Sequence, residues 1–149
     1  MTTKTISIGA DHRGYALKSL FCAKLKELGI EAVDLGTFDE ERCDAGDFAQ
    51  KIAEDLRAHP DRLGILICGT GQAMAMTANR FRHIRAALCT NTTTVKLARE
   101  HNDANVLCLG AHIVGQEVAL DCLTTFLTTD FAGGRFTERR EKLTALGGL

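Results

Sequence analysis

The sequence predicts an α/β fold: a five-stranded parallel sheet with helices on both sides, three layers in all. Two observations predict it. Short β-branched or apolar runs alternate with amphipathic stretches along the chain, the pattern of repeated strand–helix units. One of those runs, Leu63-Gly64-Ile65-Leu66-Ile67-Cys68, is apolar throughout, as a strand buried on both faces of a parallel sheet must be.

The elements follow in order. Residues 4–9 read as a first strand. A helix is expected over 13–28, where Leu17, Leu20, Phe21, Leu25 and Leu28 recur at helical spacing and Gly29 supplies a C-terminal cap. Residues 31–35 form a second strand closed by Gly36. A second helix over 44–56 puts Phe48, Ile52 and Leu56 on one face, with Pro60 beyond its end. The third strand, 63–68, breaks at Gly69-Thr70-Gly71 and leads into a helix over 72–80. A fourth strand over 84–89, a short helix over 92–99 and a fifth strand over 105–109 come next. In a long helix over 115–128, Ala119, Cys122, Leu123, Phe126 and Leu127 share the core face. Gly133-Gly134 precedes a charged helix over 135–145, in a C-terminal helical segment reaching 146. With no repeat or linker, residues 1–149 are read as a single domain of Rossmann or flavodoxin-like type, strand order 2-1-3-4-5.

Composition narrows the function. At 45% hydrophobic and 25% charged, the chain can bury one core. Lys plus Arg number 18 and Asp plus Glu 19, a net charge of −1, which excludes a bulk field for nucleic acid and a polybasic membrane anchor. Any anion must be met by a local cluster. No apolar run approaches the roughly 20 residues of a membrane span, and the N-terminus has no signal-peptide stretch, so a cytoplasmic protein is expected. The six cysteines form no Cys-x-x-Cys pair, and no His stands at zinc-ligand spacing, so no metal is expected. Five of them read as small buried hydrophobes.

In open α/β sheets, ligands bind beyond the carboxyl ends of the strands, near the switch in strand order. The unusual residues fall there. Strand one ends in Gly9-Ala10-Asp11-His12, strand three in Cys68-Gly69-Thr70-Gly71-Gln72-Ala73, and strand five in Gly110-Ala111-His112. The small residues after Cys68 let backbone approach a ligand, and free N–H groups at the next helix favour a phosphate or the oxyanion of a reacting carbonyl. Cys68 stands where a base would serve that carbonyl, and a helix N-terminus favours the reactive thiolate. Spacing alone leaves the alternative open, a buried Cys ending a core strand. Gly71-x-Ala73 is a weak dinucleotide signal, because it follows the third strand and has Met74 where a third glycine would be.

Asp11 suits a helix cap as well as a ligand contact, whereas His12 has no capping task. His101-Asn102-Asp103 reads as a polar turn at the amino edge of strand five, opposite the subunit's own crevice. A catalytic His101 would therefore serve a neighbouring subunit and make the active unit a symmetric dimer. Arg135 and Arg139, at i and i+4, suit either a phosphate or a solvated face.

Together these residues resemble a known family. Ile8-Gly9-Ala10-Asp11-His12-Arg13-Gly14-Tyr15-x-Leu17-Lys18 is similar to the opening of ribose-5-phosphate isomerase B and the galactose-6-phosphate isomerase subunits. Asp34-x-Gly36, Asp44-x-x-Asp47-Phe48-Ala49, the run from Gly64 to Gly71, Ala78-Asn79 and Ile84-Arg85-Ala86-Ala87 fit too. The most specific block runs from Arg99 to Leu107, and Gly133-Gly134-Arg135-x-x-x-Arg139 closes the match.

The resemblance implies a cofactor-free aldose–ketose isomerase working through an enediolate. In the branch with a Cys before the glycine loop, that thiolate is the base, here Cys68; another branch uses a Glu at the position of Met74. The resemblance further implies an anion hole from backbone N–H groups of Gly69, Thr70, Gly71, Gln72 and Ala73. His101 would be the ring-opening acid, Asp11, His12 and Asn102 sugar contacts, and Arg135 and Arg139 the phosphate ligands. It implies a homodimer or homotetramer with interfacial sites acting on a small phosphorylated sugar, with no nucleic acid or membrane partner. Three departures touch substrate recognition: Ala73 replaces a loop glycine, His112 a frequent Arg and Phe136 a frequent His. The leading expectation is ribose 5-phosphate to ribulose 5-phosphate, a step of the pentose phosphate pathway. Its rivals are allose 6-phosphate, galactose 6-phosphate or a tetrose phosphate, a silent sugar-phosphate-binding protein, and a flavodoxin-like nucleotide-binding module.

Overall fold

The computed structural model describes residues 5–149; Lys4, assigned above to the first strand, lies outside them. The strands are β1 (Ile6–Ala10), β2 (Ala32–Asp34), β3 (Leu63–Cys68), β4 (Ala86–Leu88) and β5 (Val106–Gly110). The helices are α1 (Tyr15–Glu27), α2 (Ala45–Ala58), α3 (Gln72–Ala78), α4 (Thr92–Asn102), α5 (Gln116–Thr128) and α6 (Arg135–Ala145). All five strands pair in parallel, as expected of alternating β and α segments.

The strand order is β2-β1-β3-β5-β4, not 2-1-3-4-5. The reason lies in burial. Every residue of β5 is buried, so it needs a strand on each side, whereas β4 is three residues long and partly exposed, as an edge strand should be. Asn79 covers that edge: its Nδ2 donates to the Ala86 carbonyl at 2.9 Å and its Oδ1 accepts from the Ala86 N–H at 2.8 Å. The corrected order matters for the site, because the register now sets Cys68 opposite Gly110.

Side chains of β3 alternate between two cores, as the two-residue strand period requires. Ile65 and Ile67 join Phe21, Leu25, Leu123 and Phe126 from α1 and α5. Leu66 and Cys68 face the opposite way, with Ile52 and Leu56 of α2 and Met74 and Ala78 of α3. Cys68 thus stands on the α2/α3 side of the sheet, at its carboxyl edge.

Most element bounds shift by one or two residues from expectation, α2 running on to Ala58, α3 stopping at Ala78 and β4 narrowing to Ala86–Leu88; two other shifts bear on the site. The α1 helix begins at Tyr15, because Asp11 Oδ1 accepts from the Arg13 and Gly14 N–H groups at 2.9 and 3.0 Å and holds the preceding turn. The α4 helix runs three residues beyond Arg99, to Asn102, so His101 is helical and not in a turn. It stops at Asp103, whose left-handed φ of 49° lets its N–H close on the Ala98 and Arg99 carbonyls.

Among the described residues, no buried side-chain nitrogen or oxygen lacks a hydrogen-bond partner. Lys18, 1% exposed, donates from Nζ to Asp34 Oδ2 at 2.6 Å, and the Tyr15 and Phe38 rings lie within 5.4 Å of its ammonium. Ser7 donates to Asp55, which also takes Arg62 at 2.9 Å. Replacing Lys18 by Met leaves Asp34 without its ammonium. We expect Lys18→Met to cost about 2 kcal/mol, below the full buried-pair penalty because Asp34 is partly solvated. A shift in the urea midpoint at unchanged slope measures it, and an unchanged midpoint refutes it.

Candidate active site

The carboxyl edge of the sheet gathers three turns into one cavity. Asp11, His12, Cys68, Gly69, Thr70 and Ala73 line it, together with Arg13, Arg42 and Cys43. Backbone contact holds the turns together. The Asp11 N–H donates to the Ile67 carbonyl at 3.1 Å, Ala111 N–H to the Cys68 carbonyl at 2.8 Å, and His112 N–H to the Gly69 carbonyl at 3.0 Å. A Cβ on Gly110 would lie 2.6 Å from the Thr70 carbonyl carbon, so only glycine lets β5 pass this loop. Gly71 has φ +80° and caps α3; a side chain there would also strike Leu109 backbone at 2.9 Å.

That turn aims the Gly71 N–H at Cys68 Sγ, at 3.1 Å. The sulfur ends a buried strand and still receives a fixed backbone donor. The Gly71 N–H is spent on sulfur and the Gln72 N–H points at Thr70 Oγ1, 3.4 Å away, while Gly69, Thr70 and Ala73 line the cavity. Two of the five expected donors are thus engaged within the loop itself. Ala73 is helical, so its replacement of a glycine imposes no strain here. Met74 is fully buried in the α2/α3 core.

His12 is held by the loop after β2. The Cys43 N–H donates to His12 Nδ1 at 3.3 Å, which leaves Nε2 as the protonated nitrogen of the neutral ring. Asp11 is 7% exposed and spends Oδ1 on the turn, so its other oxygen is the one free for a ligand. His112 borders Gly69 beside Arg13: a Cβ on Gly69 would lie 3.2 and 3.1 Å from their side chains. Arg13, Arg42 and Cys43 were not among the candidates. Arg13 stands directly after Asp11-His12, and that adjacency was the available signal; Arg42 and Cys43 come from a loop far away in sequence.

The remaining candidates lie at the other end of the sheet. His101 and Asn102 close α4, just before the amino end of β5, while Cys68 is paired with the last residue of β5. The four residue steps of β5 alone span about 13 Å. Asn102 lines a separate groove with Arg85, Ala98 and Leu143. His101 stacks on Phe136, ring centroids 4.3 Å apart, and Arg135 and Arg139 flank the same Phe136 ring.

This second cluster is rigidly based. Arg99 is 3% exposed and donates to the Thr129 and Ala104 carbonyls at 3.0 and 2.6 Å and to Asp103 at 3.2 Å. Arg85 and Arg140 also reach Asp103, at 3.4 and 2.7 Å. One carboxylate thus ties the end of α4 to the start of β4 and to α6. The chain presents two half-sites: a thiol with backbone donors at one edge, an imidazole with arginines at the other.

Comparison with known proteins identifies the family. The family model for Ribose/Galactose Isomerase matches residues 6–143. Ribose-5-phosphate isomerase B of Escherichia coli is 40% identical over 96% of this chain and 96% of its own length. The ribose-5-phosphate isomerase B structure from Clostridium thermocellum superposes with a TM-score of 0.93 at 44% identity, covering 95% of this chain and 96% of that one. The Mycoplasma genitalium enzyme, solved with bound ribulose-5-phosphate, gives 0.92 at 37% identity over 97% of both chains. A fold matched at this identity over nearly the whole chain is that of the sugar phosphate isomerases. The chain belongs to the ribose/galactose isomerase family.

The thiols separate by environment. Burial pushes the Cys89, Cys108 and Cys122 thiols up, Cys122 to about 11, so at pH 8 they hold their protons and react slowly. Cys43 and Cys68 line the cavity. Iodoacetamide at pH 8 is expected to label these two first, read by peptide mass mapping. Labelling of Cys108 at a comparable rate would contradict the assignment.

Proposed function

We propose that this protein interconverts ribose 5-phosphate and ribulose 5-phosphate through an enediolate, in a homo-oligomer whose active sites combine the two half-sites from different subunits. The observation that carries the reading is the Gly71 N–H aimed at Cys68 Sγ within a cavity lined by Asp11 and His12. The relatives named as ribose-5-phosphate isomerase B support the substrate, and the Mycoplasma genitalium complex supports a five-carbon sugar phosphate at this fold.

The roles follow from the chemistry each group can perform. His101 of one subunit protonates the ring oxygen while the anomeric hydroxyl gives its proton to water; the C1–O4 bond breaks and the aldehyde forms, with Asn102 orienting the sugar. Cys68 of the other takes the C2 proton; the electron pair forms the C1–C2 double bond, and negative charge builds on O1. Thr70 and Ala73 N–H groups face that charge, a kind of contact that contributes roughly 3 kcal/mol to lowering the barrier. The proton on O2 moves to O1, and the Cys68 thiol returns its proton to C1 to give the ketose. His12 donates from Nε2, and Asp11 accepts a sugar hydroxyl. Arg135 and Arg139 hold the phosphate with help from His112. Met74 carries no ionisable group, so of the two bases that the family resemblance implies, the Cys and the Glu, this chain has only Cys68.

Proton NMR in D₂O tests the reading directly. Wild-type protein is expected to form ribulose 5-phosphate and to exchange deuterium at C2. Turnover of allose 6-phosphate or galactose 6-phosphate alone would retain the chemistry and change the substrate. Cys68→Ala is expected to lower turnover by about 10²- to 10⁴-fold while binding persists; near-wild-type activity removes Cys68 as the base. His101→Asn is expected to slow reaction from the ring-closed sugar, and an unchanged rate removes His101 from the mechanism.

A further inference from the structure

One aromatic ring joins the proposed acid to both proposed phosphate ligands. Phe136 is the second residue of α6. The His101 imidazole lies on it at 4.3 Å between centroids, with 12° between the planes. The Arg135 and Arg139 guanidinium carbons stand 4.9 and 5.7 Å from the same centroid. Flat rings hold one another by stacking, and a cation is held over the face of a phenyl ring by its quadrupole. Among the described residues, the side chains of His101, Arg135 and Arg139 make no hydrogen bond or ion pair, so the ring is what orders them.

The helix itself is docked by other means. Arg140 reaches Asp103 at 2.7 Å and lies 4.8 Å from the Phe131 ring centroid, while α6 buries no residue of its own. Removing the Phe136 ring therefore frees three side chains without undocking the helix that carries two of them.

We propose that Phe136 is a positioning residue: its ring fixes His101, Arg135 and Arg139 as one unit, so that the ring-opening acid and the phosphate clamp reach a neighbouring subunit's cavity in a set relation. The proposal rests on the functional reading above. Binding and acid catalysis are then mechanically linked through a side chain that touches no substrate. Loosening the arginines raises KM, and loosening the imidazole lowers kcat.

The test is a double-mutant cycle of Phe136→Ala with His101→Asn, with Phe136→Tyr as the conservative variant, assayed on ribose 5-phosphate. Phe136→Ala is expected to lower kcat/KM roughly tenfold or more through both parameters, at an unchanged melting temperature. Phe136→Tyr, which keeps a flat ring, is expected to restore most of the loss. In the His101→Asn background the kcat effect of Phe136→Ala should vanish while the KM effect persists. The ring-current shift of the His101 side-chain protons should also disappear in Phe136→Ala and return in Phe136→Tyr, without any substrate. Unchanged kinetics in Phe136→Ala, or the same kcat loss with and without His101, overturns the positioning role. A wild-type protein that turns over no aldose phosphate overturns the functional reading and this role with it, and that control separates the two failures.

Discussion

The backbone of Thr70 lies against the α-carbon of Gly110 with no room for a side chain between them. The candidate site depends on that approach. It requires β5 beside β3, and it brings Ala111 and His112 into hydrogen bonds with Cys68 and Gly69. Beside it, Gly71 turns with a positive φ into α3, and its N–H donates to the Cys68 sulfur. A buried strand end becomes a place where one thiol meets a fixed donor, because two backbones are in contact there. The α2/α3 core supports the arrangement from below, with Met74 and Ala78 packed beneath the loop.

Much of this was legible in the sequence, for reasons particular to each element. The continuous run from Leu63 to Cys68 identified β3 to the residue, since a strand buried on both faces leaves no alternation to confuse its ends. The charged stretch after Gly133-Gly134 identified α6 equally well. Strand order was not legible. Both β4 and β5 read as short apolar runs, and only the burial of β5 against two neighbours reveals which is central. The end of α4 was misread because Asn and Asp suit turns, whereas here Asp103 terminates a helix by adopting the left-handed conformation. The cavity residues Arg42 and Cys43 were missed because proximity across a loop leaves no local pattern. The Gly71 N–H contact to sulfur, set by the conformation of the Gly69-Thr70 turn, leaves no pattern in the sequence.

Several arginines gather around one carboxylate at the amino edge of the sheet. Asp103 receives Arg85, Arg99 and Arg140, and the buried Arg99 extends the tie to the end of α5. The result is a stiff platform at the amino edge of the sheet, bearing His101 and the start of α6. In the proposed mechanism the edges have different tasks: the thiol edge supplies the base, and the imidazole edge supplies the ring-opening acid and the phosphate ligands. Within one subunit they stand on opposite ends of β5. A two-fold assembly brings unlike edges together twice and so builds two equivalent sites from one surface.

That shared site is the central claim, and subunit complementation tests it most directly. Cys68→Ala and His101→Asn proteins, each impaired alone, are mixed under conditions that exchange subunits, and isomerisation is followed by NMR. Sites shared between subunits predict recovered activity approaching about a quarter of wild type, since half of the dimers in an equal mixture are mixed and each of those holds one intact site. A mixture no more active than its parts, with exchange verified by mass spectrometry, would contradict the account.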